Sequence, residues 1–201
     1  MPRRLVLLRH GQTSWNAGLR IQGQLDAPLN DTGRLQAKAV APVIASLGPA
    51  TLWSSDLSRA RDTAQAVADE TGLSPSYDAR LREFHLGERE GMTHAEYREQ
   101  DPAGFARFKT GDWSHVVGAE SAAAVAARYV AALRDLAALL GAGETGVVVS
   151  HGAATRTGIV AFLGWPMELA GELRGMENCG YAVLEERGVG GWRLAAYNRT
   201  A

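Results

Sequence analysis

The chain has 201 residues, 46% of them hydrophobic and 21% charged, with a formal net charge of −1 and a single cysteine, Cys179. That length supports one sizeable core. The near-neutral balance excludes the basic field of a nucleic-acid binder, the lone cysteine excludes an internal disulfide and suits a reducing cytoplasm, and no stretch reaches the roughly 20 apolar residues of a membrane span.

Residues 3–8 read as a buried strand that ends in Arg9-His10-Gly11. Its four-residue apolar run, Leu5 to Leu8, is too short for a secretory leader. Residues 31–47 read as a helix, capped by Asp31 or Thr32, with Leu35, Ala39, Val43 and Leu47 on one face, and stopped at Gly48-Pro49. Thr51 to Trp53 is a short strand. Ser55 or Asp56 then caps a second helix, which runs to about Thr71 and closes at Gly72. Residues 76–79 read as another short strand.

From 84 to 118, glycines and Pro102 punctuate aromatic and charged residues, so this segment reads as a lid or insertion with short helices. Glu120 to Leu140 is the clearest helix, with Val125, Tyr129, Leu133, Leu136 and Leu140 on one stripe. Residues 146–150 form a second buried strand, and it again ends in His151-Gly152. Ala153 to Leu163 is helical. Tyr181 to Glu185 and Trp192 to Tyr197 are the last strands, with a glycine-rich turn between them. Strands alternating with helices predict an α/β fold over 1–201: a three-layer α/β/α sandwich on a mostly parallel sheet, with the lid at about 84–118.

In a parallel sheet, ligands bind beyond the carboxyl ends of the strands. Both His10 and His151 belong to that edge, and the glycine after each permits a sharp turn and close approach of a ligand. One such histidine alone is as readily a capping residue; two in matching context point to a site. Arg59 and Arg61 follow the short strand 51–53 in the first turns of a helix, where a cation opposes the helix dipole unless an anion is near. One of the two reads as a solvated side chain. Glu83 opens the irregular segment and by itself reads as a surface residue.

Together Arg9, His10, Arg59, Glu83 and His151 supply two imidazoles, two guanidiniums and one carboxyl group. Guanidinium forks match phosphate oxygens. A neutral imidazole can attack phosphorus. A carboxyl can protonate a leaving oxygen. The set can transfer a phosphoryl group with guanidiniums as the positive charge, with no metal and no cofactor. Rival motifs fail. Gly141 to Gly146 matches GxGxxG but precedes a strand. No GxxxxGK[ST] loop and no GxSxG elbow occur. Cys179 has Glu185 six residues on, where a cysteine phosphatase has arginine. His85, His94 and His115 lack zinc-ligand spacing.

Leu8-Arg-His-Gly-Gln-Thr-Ser-Trp-Asn16 resembles the LRHGxTxxN motif of the histidine phosphatase superfamily, the phosphoglycerate mutase-like family. The resemblance extends through Gly23–Asn30, Ser54–Ala60, Leu81–Gly91, Gly118–Ser121 and Val148–Gly152. It implies that His10 is the nucleophile and becomes phosphohistidine. Arg9, Arg59 and His151 are implied to bind the phosphoryl group, and Glu83 to act as general acid and then base. Asn16, Thr13, Gln22, Gly23 and Gly152 are implied around the substrate. Cofactor-dependent mutases of the family carry ERHYG at the glutamate and a longer insertion with paired arginines. Here the stretch is Glu83-Phe-His-Leu-Gly87, followed by separated Arg98, Arg107 and Lys109, so a phosphatase is expected.

Within the family, Ile21–Asp26, Leu81–Gly87, Met92–Ala95 and Val125–Arg128 resemble the actinobacterial subfamily that dephosphorylates glucosyl-3-phosphoglycerate. That implies this small-molecule phosphomonoester, or a similar one, as substrate, and a homodimer; composition and charge add a cytoplasmic location and no nucleic-acid or membrane partner. Gly118-Ala119-Glu120-Ser121 departs from the usual GGES. The alternatives are a phosphoglycerate mutase and a non-catalytic module that binds phospho-ligands.

Overall fold

A computed structural model describes residues 1–188 and 190–201. Along the chain run β1 (Arg4–Arg9), α1 (Ser14–Ala17), α2 (Asp31–Ala45), β2 (Pro49–Ser54), α3 (Ser58–Thr71) and β3 (Ser76–Tyr77). Then come α4 (His94–Gln100), α5 (Pro102–Lys109), α6 (Ala122–Leu139), β4 (Thr145–Ser150), α7 (Gly152–Phe162), α8 (Leu169–Glu172), β5 (Tyr181–Glu186) and β6 (Trp192–Arg199). The sheet order is β3-β2-β4-β1-β5-β6. The first four strands in that order are parallel, and β5 and β6 add an antiparallel edge.

The central strands are apolar on both faces because helices cover both. Leu5 and Leu7 of β1 face a core with Val125, Tyr129, Leu133 and Leu136 of α6 and Ile159 of α7. The alternate residues, Val6 and Leu8, face a second core with Val40 and Ile44 of α2 and Ala60, Ala64 and Val67 of α3. This is the expected three-layer sandwich.

The α6 stripe is buried as its periodicity predicts. The face expected for α2 is only partly right: Val43 and Leu47 pack against the second core, but Leu35 and Ala39 do not. Leu35 is 68% exposed, while Gly33, Ala37, Val40, Ala41 and Ile44 are buried. The reason is a backbone contact. A Cβ on Gly11 would lie 2.5 Å from the carbonyl oxygen of Gly33, and one on Gly33 would lie 2.0 Å from that of Gln12. The helix presents its smallest side chains so that it can touch the turn after His10, and a reading weighted by large apolar residues selects another face. The helix cap also moves, from Asp31 or Thr32 to Asn30, whose Oδ1 accepts from Gly33 N at 2.8 Å.

The expected caps of α3 are both engaged elsewhere. Ser55 turns to His151, and Asp56 pairs with Arg82 at 2.6 Å. The helix starts later, at Ser58, and Asp26 caps it from a distant loop, accepting from Ser58 N at 2.8 Å and Ser58 Oγ at 2.7 Å. It closes at Gly72 with φ of 73°, as expected. In the 84–118 segment, Tyr97 is buried against Phe105 and Phe108, and Phe84 meets Trp113 edge to face. Trp165 is 38% exposed.

Candidate active site

Strand register builds the site. Arg9 pairs with Ser150 across β1 and β4, so His10 and His151 leave neighbouring strands side by side. Their ring centroids are 5.2 Å apart. Ser54 pairs with Val149 across β2 and β4, which sets Ser55 beside them.

His10 is 3% exposed. Its Nδ1 lies 2.6 Å from the Gly11 carbonyl, which can only accept. Nδ1 therefore carries the proton, and Nε2 carries the lone pair. Burial, with help from Arg59 and Arg9, holds the imidazole well below its ordinary pKa, so it is neutral at pH 7. His151 is fully buried and is shifted down in the same way, burial first and Arg59 next. Its Nε2 lies 2.8 Å from Ser55 Oγ. Ser55 Oγ also accepts a long bond from Leu57 N at 3.4 Å. With the Ser55 hydroxyl as donor to Nε2, the proton of His151 sits on Nδ1, which has no partner.

A buried guanidinium, Arg59, and a half-buried one, Arg9, flank the imidazoles. Arg59 is 1% exposed and donates to the carbonyls of Leu25 (2.8 Å) and Gly23 (2.7 Å). Burial lowers its pKa to about 10, which leaves it charged at neutral pH. Arg9 donates to the Met176 carbonyl. Neither forms an ion pair among the described residues, and the Nε of each is buried without a partner. Two uncompensated cations, one buried and one half-buried, are costly unless an anion joins them, so the pair is a ready anion clamp. Arg61, by contrast, is exposed and lies over the Tyr77 ring at 4.7 Å; it is the solvated arginine of the two.

Glu83 is no free surface residue. Its carboxylate accepts from Ala153 N (3.0 Å), Ala154 N (2.8 Å) and Phe84 N (3.0 Å), closing the start of α7. Its own carbonyl accepts from Arg128 (2.9 Å). Gly152 packs its backbone near the Arg9 guanidinium; a Cβ there would lie 3.4 Å from Nε. Thr13 and Asn16 form a reciprocal cap on α1, and Thr13 Oγ1 donates to Gln22 Oε1 at 3.0 Å. Gly23 has φ of 51°, and a Cβ there would collide with Glu90 Oε1.

A cavity of about 250 Å³ gathers Arg9, His10, Asn16, Gln22, Gly23, Arg59, Glu83 and Gly152. Of the candidate residues, Thr13 and His151 are fully buried behind it. Sequence reasoning missed Ser55 as the partner of His151. It also missed Asn178, whose Nδ2 donates to the carbonyl of His10 at 3.1 Å and to Asn16 Oδ1 at 3.3 Å. Arg20, Arg156 and Trp113 of the cavity wall were missed as well. The second His-Gly pair signals α7, and Arg156 stands one turn along it; Asn178 has no comparable signal.

Residues 5–200 match the family described as Histidine phosphatase superfamily (branch 1). Over 215 residues the chain is 40% identical to glucosyl-3-phosphoglycerate phosphatase from Mycolicibacterium vanbaalenii, covering 99% of this chain and 96% of the relative. It is 33% identical to a probable phosphoglycerate mutase from Yersinia pestis, over 98% of this chain and 93% of that one. The solved structure of mycobacterial glucosyl-3-phosphoglycerate phosphatase with VO3 superposes with a TM-score of 0.91 at 39% identity, over 98% of this chain and all of that chain.

Proposed function

The chain belongs to the histidine phosphatase superfamily, and from that premise we propose that it is a phosphomonoesterase that works through a phosphohistidine at His10. The observation that carries this reading is a neutral imidazole with its Nε2 lone pair free, set between two guanidiniums, Arg9 and Arg59, that have no carboxylate partner among the described residues.

The phosphoryl group of the substrate is held by Arg9 and Arg59, with the Nδ1 proton of His151 as a further donor. His10 Nε2 attacks phosphorus, and the bond from phosphorus to the ester oxygen breaks. Glu83 gives that oxygen a proton. Glu83 then takes a proton from water, water attacks the phosphohistidine, and inorganic phosphate leaves. Asn16, Gln22, Gly23 and Gly152 shape the cavity around the substrate, and Thr13 braces its floor. The guanidiniums supply the positive charge, so the reaction runs without added metal or cofactor.

The names of two relatives support glucosyl-3-phosphoglycerate, or a close analogue, as the substrate. We place the protein in the cytoplasm as a homodimer; light scattering checks the second point. The 33% identity to a probable mutase supports one rival, interconversion of phosphoglycerates.

The test is phosphate release, with chelator present, from glucosyl-3-phosphoglycerate, 3-phosphoglycerate, sugar phosphates and p-nitrophenyl phosphate. Rapid base quench should trap a base-stable, acid-labile phosphoenzyme. Release from the first substrate with a large kcat/KM preference is the expected result. Interconversion of 2- and 3-phosphoglycerate dependent on bisphosphoglycerate, with little release, would establish the mutase reading. Background turnover on everything, with tight binding of a phosphate ester, would leave a binding module.

A further inference from the structure

Arg128 meets the catalytic cavity through the backbone of one wall residue, Glu83, and Glu120 holds Arg128. The stretches that carry the pair, Gly118–Ser121 and Val125–Arg128, stand out in the sequence and take no part in the chemical step.

The segment that ends at Glu83 is irregular. It follows β3 through a short 3-10 turn, Ala79–Leu81, and leaves that turn extended at Arg82. Buried carbonyls outside a ladder still need donors. Here the carbonyls of residues 80 to 83 all accept from side chains. Ser150 Oγ donates to that of Leu81 at 2.8 Å. Arg128 takes the other three: Nη1 donates to Arg80 O (2.8 Å) and Arg82 O (2.6 Å), and Nη2 to Glu83 O (2.9 Å).

The remaining donors of Arg128 go to Glu120, Nε to Oε1 at 3.0 Å and Nη2 to Oε2 at 2.9 Å. Every N–H of the guanidinium is thereby engaged. Glu120 Oε2 also accepts from His85 N at 2.8 Å, so the pair grips the chain on both sides of Glu83. Gln24 Nε2 donates to the Glu83 carbonyl as well, at 3.1 Å.

The carboxylate of Glu83 points the other way, to the first turn of α7. Helices α6 and α7 are locked to each other at Tyr129. Its hydroxyl lies 2.9 Å from Thr155 Oγ1, and a Cβ on Gly158 would come within 2.2 Å of its ring. One helical layer therefore holds Glu83 at both ends, the backbone by α6 and the carboxylate by α7. Proton transfer to an ester oxygen is sensitive to such placement, since an error of about 1 Å can cost about a hundredfold.

From this convergence we infer that Arg128, anchored by Glu120, is a positioning residue for the proton transfer: it fixes the backbone from which Glu83 reaches the leaving oxygen. This rests on the phosphomonoesterase reading above, in which Glu83 gives that proton.

The test compares phenyl phosphate with p-nitrophenyl phosphate. The two differ little in shape, but p-nitrophenolate departs readily without a proton and phenolate does not. The ratio of their kcat/KM values is read, because a ratio does not depend on the folded fraction of a variant. Glu83→Gln should lower the ratio of phenyl to p-nitrophenyl phosphate by about a hundredfold, the lower end of what a general acid contributes. In Arg128→Lys one nitrogen replaces a fork that spans three carbonyls and a carboxylate. It should lower the ratio by about tenfold. Added to Glu83→Gln, it should change the ratio by less than about twofold, because both changes act through one carboxyl group. If Arg128→Lys gives no folded protein, Glu120→Gln decides, with an expected fall of about threefold.

One common factor on both substrates, or a full further fall in the Glu83→Gln background, overturns the proposal while the phosphatase reading stands. If Glu83→Gln itself leaves the ratio at its wild-type value, or if the wild type releases no phosphate from p-nitrophenyl phosphate, the reading above fails and takes this inference with it.

Discussion

The two strand ends, Arg9-His10-Gly11 and Ser150-His151-Gly152, share a pattern and differ in one hydrogen bond. His10 gives its Nδ1 proton to the backbone next to it, so its Nε2 lone pair is free. His151 has its Nε2 tied to the Ser55 hydroxyl and its Nδ1 without a partner. On the proposed reading, one ring attacks and the other donates. The lesson is that residue type and position made the pair, but the partner of the second nitrogen divided the work.

The comparison breaks most sharply at His10. In His10→Asn the proposed nucleophile is gone, and phosphate release should fall by at least about 10⁴-fold, since enzymes accelerate this slow hydrolysis by up to about 10²¹-fold. A variant within tenfold of wild type in a phosphate-release assay would remove His10 from its role. His151→Asn should cost less, about 10²- to 10³-fold, the usual effect of deleting one transition-state donor. If it costs as much as His10→Asn, the division of labour between the two rings is wrong.

Ser55→Ala sharpens the comparison further. It leaves every charged group in place but releases the tautomer of His151. The expected loss is about tenfold in kcat/KM, with the pH profile altered and with partial rescue by Ser55→Thr. An unchanged profile would make Ser55 a packing residue only.

The smallest effect concerns what the rings share. Both are held neutral, with folded pKa values below the ordinary 6.5. The unfolded chain therefore binds more protons than the folded one once the pH falls below that value. Stability from this source is complete above about pH 6.5 and declines as the pH falls from there towards the folded pKa values, by at most about 1.4 kcal/mol per histidine per pH unit. The thermal midpoint should drop between about pH 7 and pH 5, and less so in a His10→Asn, His151→Asn double variant. Parallel curves for the two proteins would refute this.

Much of the frame was legible because it rests on local pattern. A short apolar run followed by Arg-His-Gly identifies a buried strand and its functional end, and the heptad-like stripe of α6 names its buried face. What was not legible rests on contacts between distant segments. The cap of α3 comes from Asp26, 32 residues away. The face of α2 follows from a backbone contact between Gly11 and Gly33 that no hydrophobic period encodes. Glu83 by itself reads as a surface residue, because its partners, Ala153 and Ala154, lie 70 and 71 residues downstream. Asn178, which braces the carbonyl of His10, sits in an irregular stretch with no motif.

The clamp of Arg9 and Arg59 is charged before any ligand arrives, and it recognises oxygens that substrate and product share. It therefore has little basis for letting go of inorganic phosphate. If the clamp holds phosphoryl oxygens as proposed, inorganic phosphate should compete with substrate, and in a cell that keeps phosphate in abundance the working rate should fall with that competition. The part of the substrate that distinguishes it from bare phosphate, the group beyond the ester oxygen, then decides how well it displaces the occupant.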